Sequence, residues 1–157
     1  MKKNCLFCNK KEDWIFENRY FYSVFDIHPV SPGHALAIPK RHIVSLLDLT
    51  DNEWNELKKS ITETINIIGL TNKRELYLEM KEKEITKKSP LFCKKMLIHL
   101  GINKKTKDFN IGVNDGRLAG RTIDHLHIQI IPRYKDDVKN PIGGIRTIIP
   151  GLGNYKK

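Results

Sequence analysis

The chain has 157 residues, 39% hydrophobic and 29% charged, enough for one domain with a proper core and an appendage. Its formal net charge of +10 attracts polyanions: nucleic acid, phosphorylated small molecules or an anionic membrane. No apolar run approaches the ~18 residues of a membrane span, and no secretory apolar core follows Met1-Lys-Lys-Asn4, so no membrane is expected and the expected compartment is the cytoplasm.

The charge does not choose its own partner, because many of the lysines lie in 73–107 and at the termini. A nucleic-acid reader would carry a zinc-finger pattern or a basic-aromatic alternation, and neither is present, so nucleic acid is not the expected partner. The cysteines number three, and two form Cys5-x-x-Cys8 in an N-terminal segment, 1–20. In a cytosolic chain that spacing points to metal or redox chemistry; Cys93 has no partner pattern and reads as packing.

Phe21-Tyr-Ser-Val-Phe-Asp-Ile27 is aromatic and β-branched, the composition of a strand. Pro29-Val-Ser-Pro-Gly33 is a turn, and His34-Ala-Leu-Ala-Ile38 returns as an antiparallel strand closed by Pro39. Thr50-Asp-Asn-Glu53 is a capping box, followed by Trp54, Leu57, Ile61, Ile65 and Ile68 as the buried stripe of a helix ending near Gly69. A helical connection occupies about 70–107. It has a short helix over Glu75–Ile85 and another from Ser89-Pro90 that buries Leu91, Met96, Leu97 and Leu100. As a mixed-charge run it reads as a solvated appendage. Phe109-Asn-Ile-Gly-Val113 is a strand, 114–120 a turn-rich loop, 121–131 a final strand, and 132–157 an irregular tail. This order of elements gives an α+β fold with an antiparallel sheet, in a single domain over 1–157.

Arg121-Thr-Ile-Asp-His-Leu-His-Ile-Gln-Ile-Ile131 carries the strongest functional signal. His125, His127 and Gln129 alternate with Leu126, Ile128 and Ile130, which is the strand period, so imidazole, imidazole and amide share one face. Same-face neighbours are roughly 6.6 Å apart, close enough for one small anion or metal to touch two or three of them. A solvent-facing strand with chance histidines is the bland alternative. Cys5, Cys8, His42 and His125 form a candidate tetrahedral Cys₂His₂ zinc set; the alternative is a pair of partly buried reduced thiols.

His125-Leu-His-Ile-Gln-Ile-Ile-Pro-Arg-Tyr134 resembles the signature of the histidine triad (HIT) superfamily. Cys5-Leu-Phe-Cys8, Phe25-Asp-Ile-His-Pro-Val-Ser-Pro-Gly-His34, Ile38-Pro-Lys-Arg-His42, Asn114-Asp-Gly116 and Ala119-Gly-Arg-Thr122 are similar to its landmarks, in order. The segment Asp137–Arg146 with Ile149-Pro150 resembles the diadenosine-tetraphosphate hydrolase-like branch. The resemblance covers 5–69 and 108–150. It implies a sheet with a long helix on one face, continued across a homodimer, and chemistry at the α-phosphate of a nucleotide.

By that resemblance His127 is the nucleophile, and a main-chain carbonyl holds its second nitrogen. His125 joins Cys5, Cys8 and His42 at a structural zinc. Asp26 accepts ribose hydroxyls, with turn capping as its alternative, and Ile27 and Phe7 wall the base. Asn114, Gly120 and Thr122 approach the phosphates.

Three features depart from the family. Gln129 stands where the triad branch has its third histidine; the pattern instead resembles uridylyltransferase and diadenosine tetraphosphate phosphorylase branches. A glutamine can donate to a phosphoryl oxygen but cannot protonate a leaving group, which favours a polyphosphate leaving group and admits phosphate as acceptor. Arg121 stands where many members have glutamine, either as a fixed charge near the phosphates or as a surface residue. The 70–107 connection is longer than usual. Lys40, Arg41, Arg133, Lys135 and Arg146 can guide a polyphosphate or be solvated charges. His28, His34 and His99 receive no role. The expected partner is a dinucleoside polyphosphate or other nucleotide conjugate. The competing expectations are a phosphate-dependent phosphorylase and a catalytically weak nucleotide-binding module.

Overall fold

The computed structural model describes residues 4–9, 13–83, 85–150 and 153. Its centre is a five-stranded antiparallel sheet of β1 (Phe16–Glu17), β2 (Phe21–Phe25), β3 (Ala35–Pro39), β4 (Phe109–Gly112) and β5 (Ile128–Pro132), in the order β1-β2-β3-β5-β4. Among the described residues four α-helical segments accompany it: the single turn α1 (Leu6–Asn9), then α2 (Asp51–Leu70), α3 (Lys73–Glu82) and α4 (Ser89–Leu97). The fold is α+β, as expected, with the long helix α2 on one face. No helix among the described residues is long and apolar enough to cross a membrane.

β2 and β3 form the expected hairpin, registered from Phe21↔Pro39 to Phe25↔Ala35. Their alternate residues separate two layers. Phe21, Ala35 and Ala37 join Leu57 and Ile68 of α2 and Leu126, Ile128 and Ile130 in the main core. Tyr22, Val24, Leu36 and Ile38 face the other way, against Cys5, Phe7 and Cys8. The two alanines leave room for α2 to lie close to the sheet. Gly33 sits in the hairpin loop at φ +89°, where a β-carbon would stand 2.8 Å from the Ile68 side chain, so both backbone and space demand glycine.

The Thr50 capping box is present as read. The buried stripe of α2 holds Leu57 and Ile68 as expected, with Ile61 and Ile65 packed against the core, but it leaves out Trp54. Trp54 is half exposed, and the stripe runs Glu53-Leu57-Ser60-Thr64-Ile68, with Ile61 and Ile65 flanking it. Steps of four, three, four and four residues hold that row on one face, and Trp54 is turned 100° off it. The polar members of the stripe are satisfied: Thr64 donates to Ser23 at 2.7 Å. The helix ends at Leu70, beside the expected Gly69.

Buried Glu53 receives a two-pronged contact from Arg41, at 2.9 and 2.7 Å, and the Thr50 N–H at 2.8 Å. Arg41 first, and then these Thr50 hydrogen bonds, pull its carboxyl from 4.5 down to about 2. A depressed carboxyl contributes stability above its unfolded value, lost as pH falls through the folded one. Glu53→Gln therefore costs about 1–2 kcal/mol at neutral pH, discounted because Arg41 is half exposed. The melting-temperature gap between variant and wild type should close between pH 4.5 and 2; a gap constant with pH would assign the loss to packing.

The 70–107 connection is more than a solvated appendage. Tyr77, Met80, Cys93, Met96 and Ile102 form a third core, on which Phe25 and Ile27 pack. Cys93 is its buried anchor, while Leu91 and Leu100 are exposed, contrary to expectation. Tyr77 ties the connection to the hairpin loop, accepting the Gly33 N–H at 2.7 Å. The final strand is also shorter than read. Residues 121–127 lie outside the ladder, and Leu126 instead donates its N–H to the Ile43 carbonyl at 2.7 Å. Its alternation survives: Leu126, Ile128 and Ile130 enter the core. The tail contains a 3-10 turn, Gly144–Ile148.

Candidate active site and metal centre

A cleft of about 1180 Å³ opens on the sheet face away from α2, and its lining includes Phe7, Asp26, Ile27, Thr122, His127 and Gln129. β3 pairs Leu36 with Gln129, so the hairpin supplies the cleft floor, while β5 supplies Gln129 and the segment just before it supplies His127. Asn114, Gly120 and Arg121 lie outside this lining. The Asn114 amide points to the Gly120 carbonyl at 3.5 Å, with Gly120 at φ +94°. Arg121 sits 3.7 Å from Asp115 and 3.3 Å from Asp124. Other cations read as polyphosphate guides are likewise engaged: Lys40 with Glu17, Arg41 with Glu53, and Arg133 with Asp137 and Asn110.

His127 is buried at the cleft wall. Its Nδ1 lies 2.8 Å from the His125 carbonyl, an acceptor only, so Nδ1 carries the proton. Nε2 is then a lone-pair nitrogen, the form a nucleophile requires. The Phe7 ring lies 5.3 Å from the imidazole and limits its swing.

Gln129 is oriented by a residue that received no role from the sequence. His34 is buried, with Nε2 2.6 Å from the Gln129 Oε1 and Nδ1 facing the Val30 N–H at 3.4 Å. Accepting at Nδ1 puts the proton on Nε2, which donates to Oε1 and leaves the Gln129 amide NH₂ as the donor for a ligand. Burial pushes the His34 imidazole below its ordinary value, against an opposing pull from Asp26. Neutral His34 makes no ion pair with the Asp26 oxygen 3.7 Å away. Parity was the available signal: His34 shares the face of Leu36, which pairs with Gln129. Asp26 caps its turn, accepting the His28 N–H at 2.7 Å through Oδ1, and still lines the cleft. The turn cap leaves Asp26 in the cleft lining.

Cys5, Cys8, His42 and His125 converge, their ligand atoms all within 4.8 Å of one another. The separations are 3.3 Å for Cys5 Sγ–His125 Nδ1, 3.3 Å for Cys8 Sγ–His42 Nδ1 and 3.6 Å for Cys8 Sγ–His125 Nδ1. A tetrahedral zinc with usual bond lengths places neighbouring sulfur and nitrogen ligands about 3.5 Å apart, so the set fits. His125 Nε2 donates to the Pro39 carbonyl at 2.8 Å, which leaves Nδ1 deprotonated toward the cluster. Burial pushes the His125 imidazole below its ordinary range, consistent with a neutral ligand. All four positions are protein atoms, so no site is open for water. α1 carries Cys8 and follows directly on Cys5, and Tyr22 anchors it by donating to the Phe7 carbonyl at 2.7 Å.

Residues 8–136 match the model of the HIT domain. An uncharacterised HIT-like protein of Methanocaldococcus jannaschii is 28% identical over 138 residues, covering 85% of this chain and 81% of the relative. The AP-4-A phosphorylase of Mycobacterium tuberculosis is 26% identical over 85% of this chain, which spans about half (54%) of that relative. The asymmetrical bis(5'-nucleosyl)-tetraphosphatase of Schizosaccharomyces pombe is 30% identical over 71% of this chain and 44% of its own length. A zinc-bound histidine triad family protein from Mycobacterium smegmatis superposes with a TM-score of 0.54 at 24% identity, over 85% of this chain and 78% of its own, a likeness of fold. Since the matched span takes in every strand of the sheet as well as His125, His127 and Gln129, the chain belongs to the HIT family.

Proposed function

We propose that the protein is a nucleotide hydrolase or nucleotidyltransferase acting at the α-phosphate of a dinucleoside polyphosphate or other nucleotide conjugate. The observation that carries this reading is His127, whose Nδ1 proton is committed to the His125 carbonyl beside a large cleft. Nε2 attacks the α-phosphorus, the N–P bond forms, and the bond to the leaving phosphate oxygen breaks. The leaving group departs as an anion, in keeping with a glutamine rather than an acid at position 129. The Gln129 amide donates to a phosphoryl oxygen, and Asp26 accepts the ribose hydroxyls. Ile27 and Phe7 hold the base, while Asn114, Gly120, Arg121 and Thr122 form the loop beside the phosphates. Water or phosphate then attacks the same phosphorus and frees Nε2, water giving up its proton to solvent.

Zinc is the metal we assign to Cys5, Cys8, His42 and His125, where it supplies a structural clip. The domain spans 1–157, works in the cytoplasm, and pairs with a second copy through its sheet. A phosphorylase is the second reading, favoured by Gln129 and by the phosphorylase among the relatives. Incubation with diadenosine tetraphosphate, with and without inorganic phosphate, and ion-exchange separation of the products tests both. ADP with ATP only when phosphate is added marks the phosphorylase. AMP plus ATP without phosphate marks a hydrolase cutting at the α-phosphate, whereas ADP alone would place the cut between the central phosphates and overturn the α-phosphate reading. No product, with nucleotide-dependent thermal stabilisation, marks a binding module.

A further inference from the structure

We infer that the α3–α4 connection is a specificity element: Thr86 fixes the His28 ring at one end of the cleft, and that pair reads the polar edge of the nucleobase. The inference rests on the nucleotide reading above. The cleft lining crosses from the sheet into the connection, taking in His28, Ile85 and Thr86 beside Asp26 and Ile27. Ile27 packs at the same time against the Tyr77–Cys93 core, so the wall nearest the base is shared between hairpin and connection.

Thr86 is rigidly held. Its hydroxyl accepts the Ser89 N–H at 3.0 Å, its own N–H donates to the Ser89 hydroxyl at 3.1 Å, and that hydroxyl donates to the Thr86 carbonyl at 2.9 Å. The same hydroxyl lies 3.1 Å from His28 Nε2, a hydrogen bond whose direction follows the imidazole tautomer. In a neutral imidazole the other ring nitrogen, Nδ1, takes the complementary role: donor if Nε2 accepts, acceptor if Nε2 donates. Phe92 of α4 meets the same ring edge-on, at 5.1 Å and 69°. The connection therefore clamps His28 from two sides. The result is one polar edge on a positioned ring, in a cleft that Val24, Phe25, Ile27 and Ile85 line together with Asp26, Thr122 and Gln129. A fixed polar edge beside apolar walls selects a base whose own edge complements it, and penalises one that leaves it unpaired.

The test is binding of AMP, GMP, CMP and UMP by calorimetry, and steady-state kinetics on diadenosine and diguanosine tetraphosphate. The proteins are the wild type, Thr86→Val, Thr86→Ser and His28→Phe. We expect the wild type to rank the bases, and Thr86→Val and His28→Phe to compress that ranking about tenfold through KM with kcat little changed. Thr86→Ser retains the hydroxyl and should restore the ranking, which a merely structural role would not require. An unchanged ranking in both Thr86→Val and His28→Phe would overturn the inference while leaving the nucleotide reading intact. A wild type that binds none of the four nucleotides would overturn both.

Discussion

His127→Ala should lose at least about a thousandfold in turnover of diadenosine tetraphosphate, with nucleotide affinity kept within about threefold. A covalent nucleophile has no substitute in its own site, and such losses are among the largest single-residue effects in enzymes. Binding persists because its contacts lie elsewhere: Asp26, Ile27 and Phe7 line the cleft independently of the imidazole. Two measurements check this. Quenched-flow with α-labelled substrate should trap an acid-labile, base-stable phosphoramidate on the wild type and none on the variant. Calorimetry with AMP should give similar affinities for both proteins. Turnover retained within tenfold would remove His127 as the nucleophile. A matching fall in affinity would mean that the imidazole serves binding rather than chemistry.

The residues with the sharpest sequence signals reached the positions expected of them, but by different means. Alternation placed His125, His127 and Gln129 opposite Leu126, Ile128 and Ile130, although only 128–132 is laddered. The two histidine side chains are held by hydrogen bonds to the Pro39 carbonyl for His125 and the His125 carbonyl for His127, and the Leu126 N–H between them ties the segment to the Ile43 carbonyl. Periodicity reports side-chain direction, not whether a neighbouring strand is present to pair with. Four side chains from three segments that could hold a metal were recognisable because their types are chemically restrictive. His34 and His28 were not, because each works through a residue distant in sequence: Gln129 for the first, Thr86 for the second. The 70–107 connection was misread because its charge is visible in the sequence, whereas its core of Tyr77, Met80, Cys93, Met96 and Ile102 follows no single period across two helices. Trp54 shows the same limit. An aromatic was assigned to the buried stripe that a glutamate occupies, and the glutamate is tolerated because Arg41 lies against it.

Cys5→Ser should lose bound zinc and lower the melting temperature by about 10 °C. The wild type, reconstituted with zinc, should hold one ion per chain by plasma mass spectrometry; the variant should hold little, and Cys93→Ala should match the wild type. Cys5 is buried and faces His125 across the cluster, so its loss breaks the ligand set and releases α1 from the sheet. Metal binding in such a set is folding free energy, and a loss of about 3 kcal/mol shifts a domain of this size by roughly 10 °C. A strong chelator should destabilise the wild type and leave Cys5→Ser unmoved. The same change should also weaken catalysis without removing a catalytic group. The imidazole of His125 belongs to the cluster, while its carbonyl holds His127 Nδ1. Loosening that residue frees the nucleophile to rotate away from the tautomer and direction it needs, so kcat should fall more than nucleotide affinity does. If zinc-reconstituted wild type carries no metal, and chelation leaves its melting temperature unchanged, the four residues form a packed thiol–imidazole cluster and the clip is lost from the account. If metal is bound but kcat of Cys5→Ser is unaltered, the cluster secures α1 alone, and the His125 carbonyl is held in place by Pro39 and Ile43 without it.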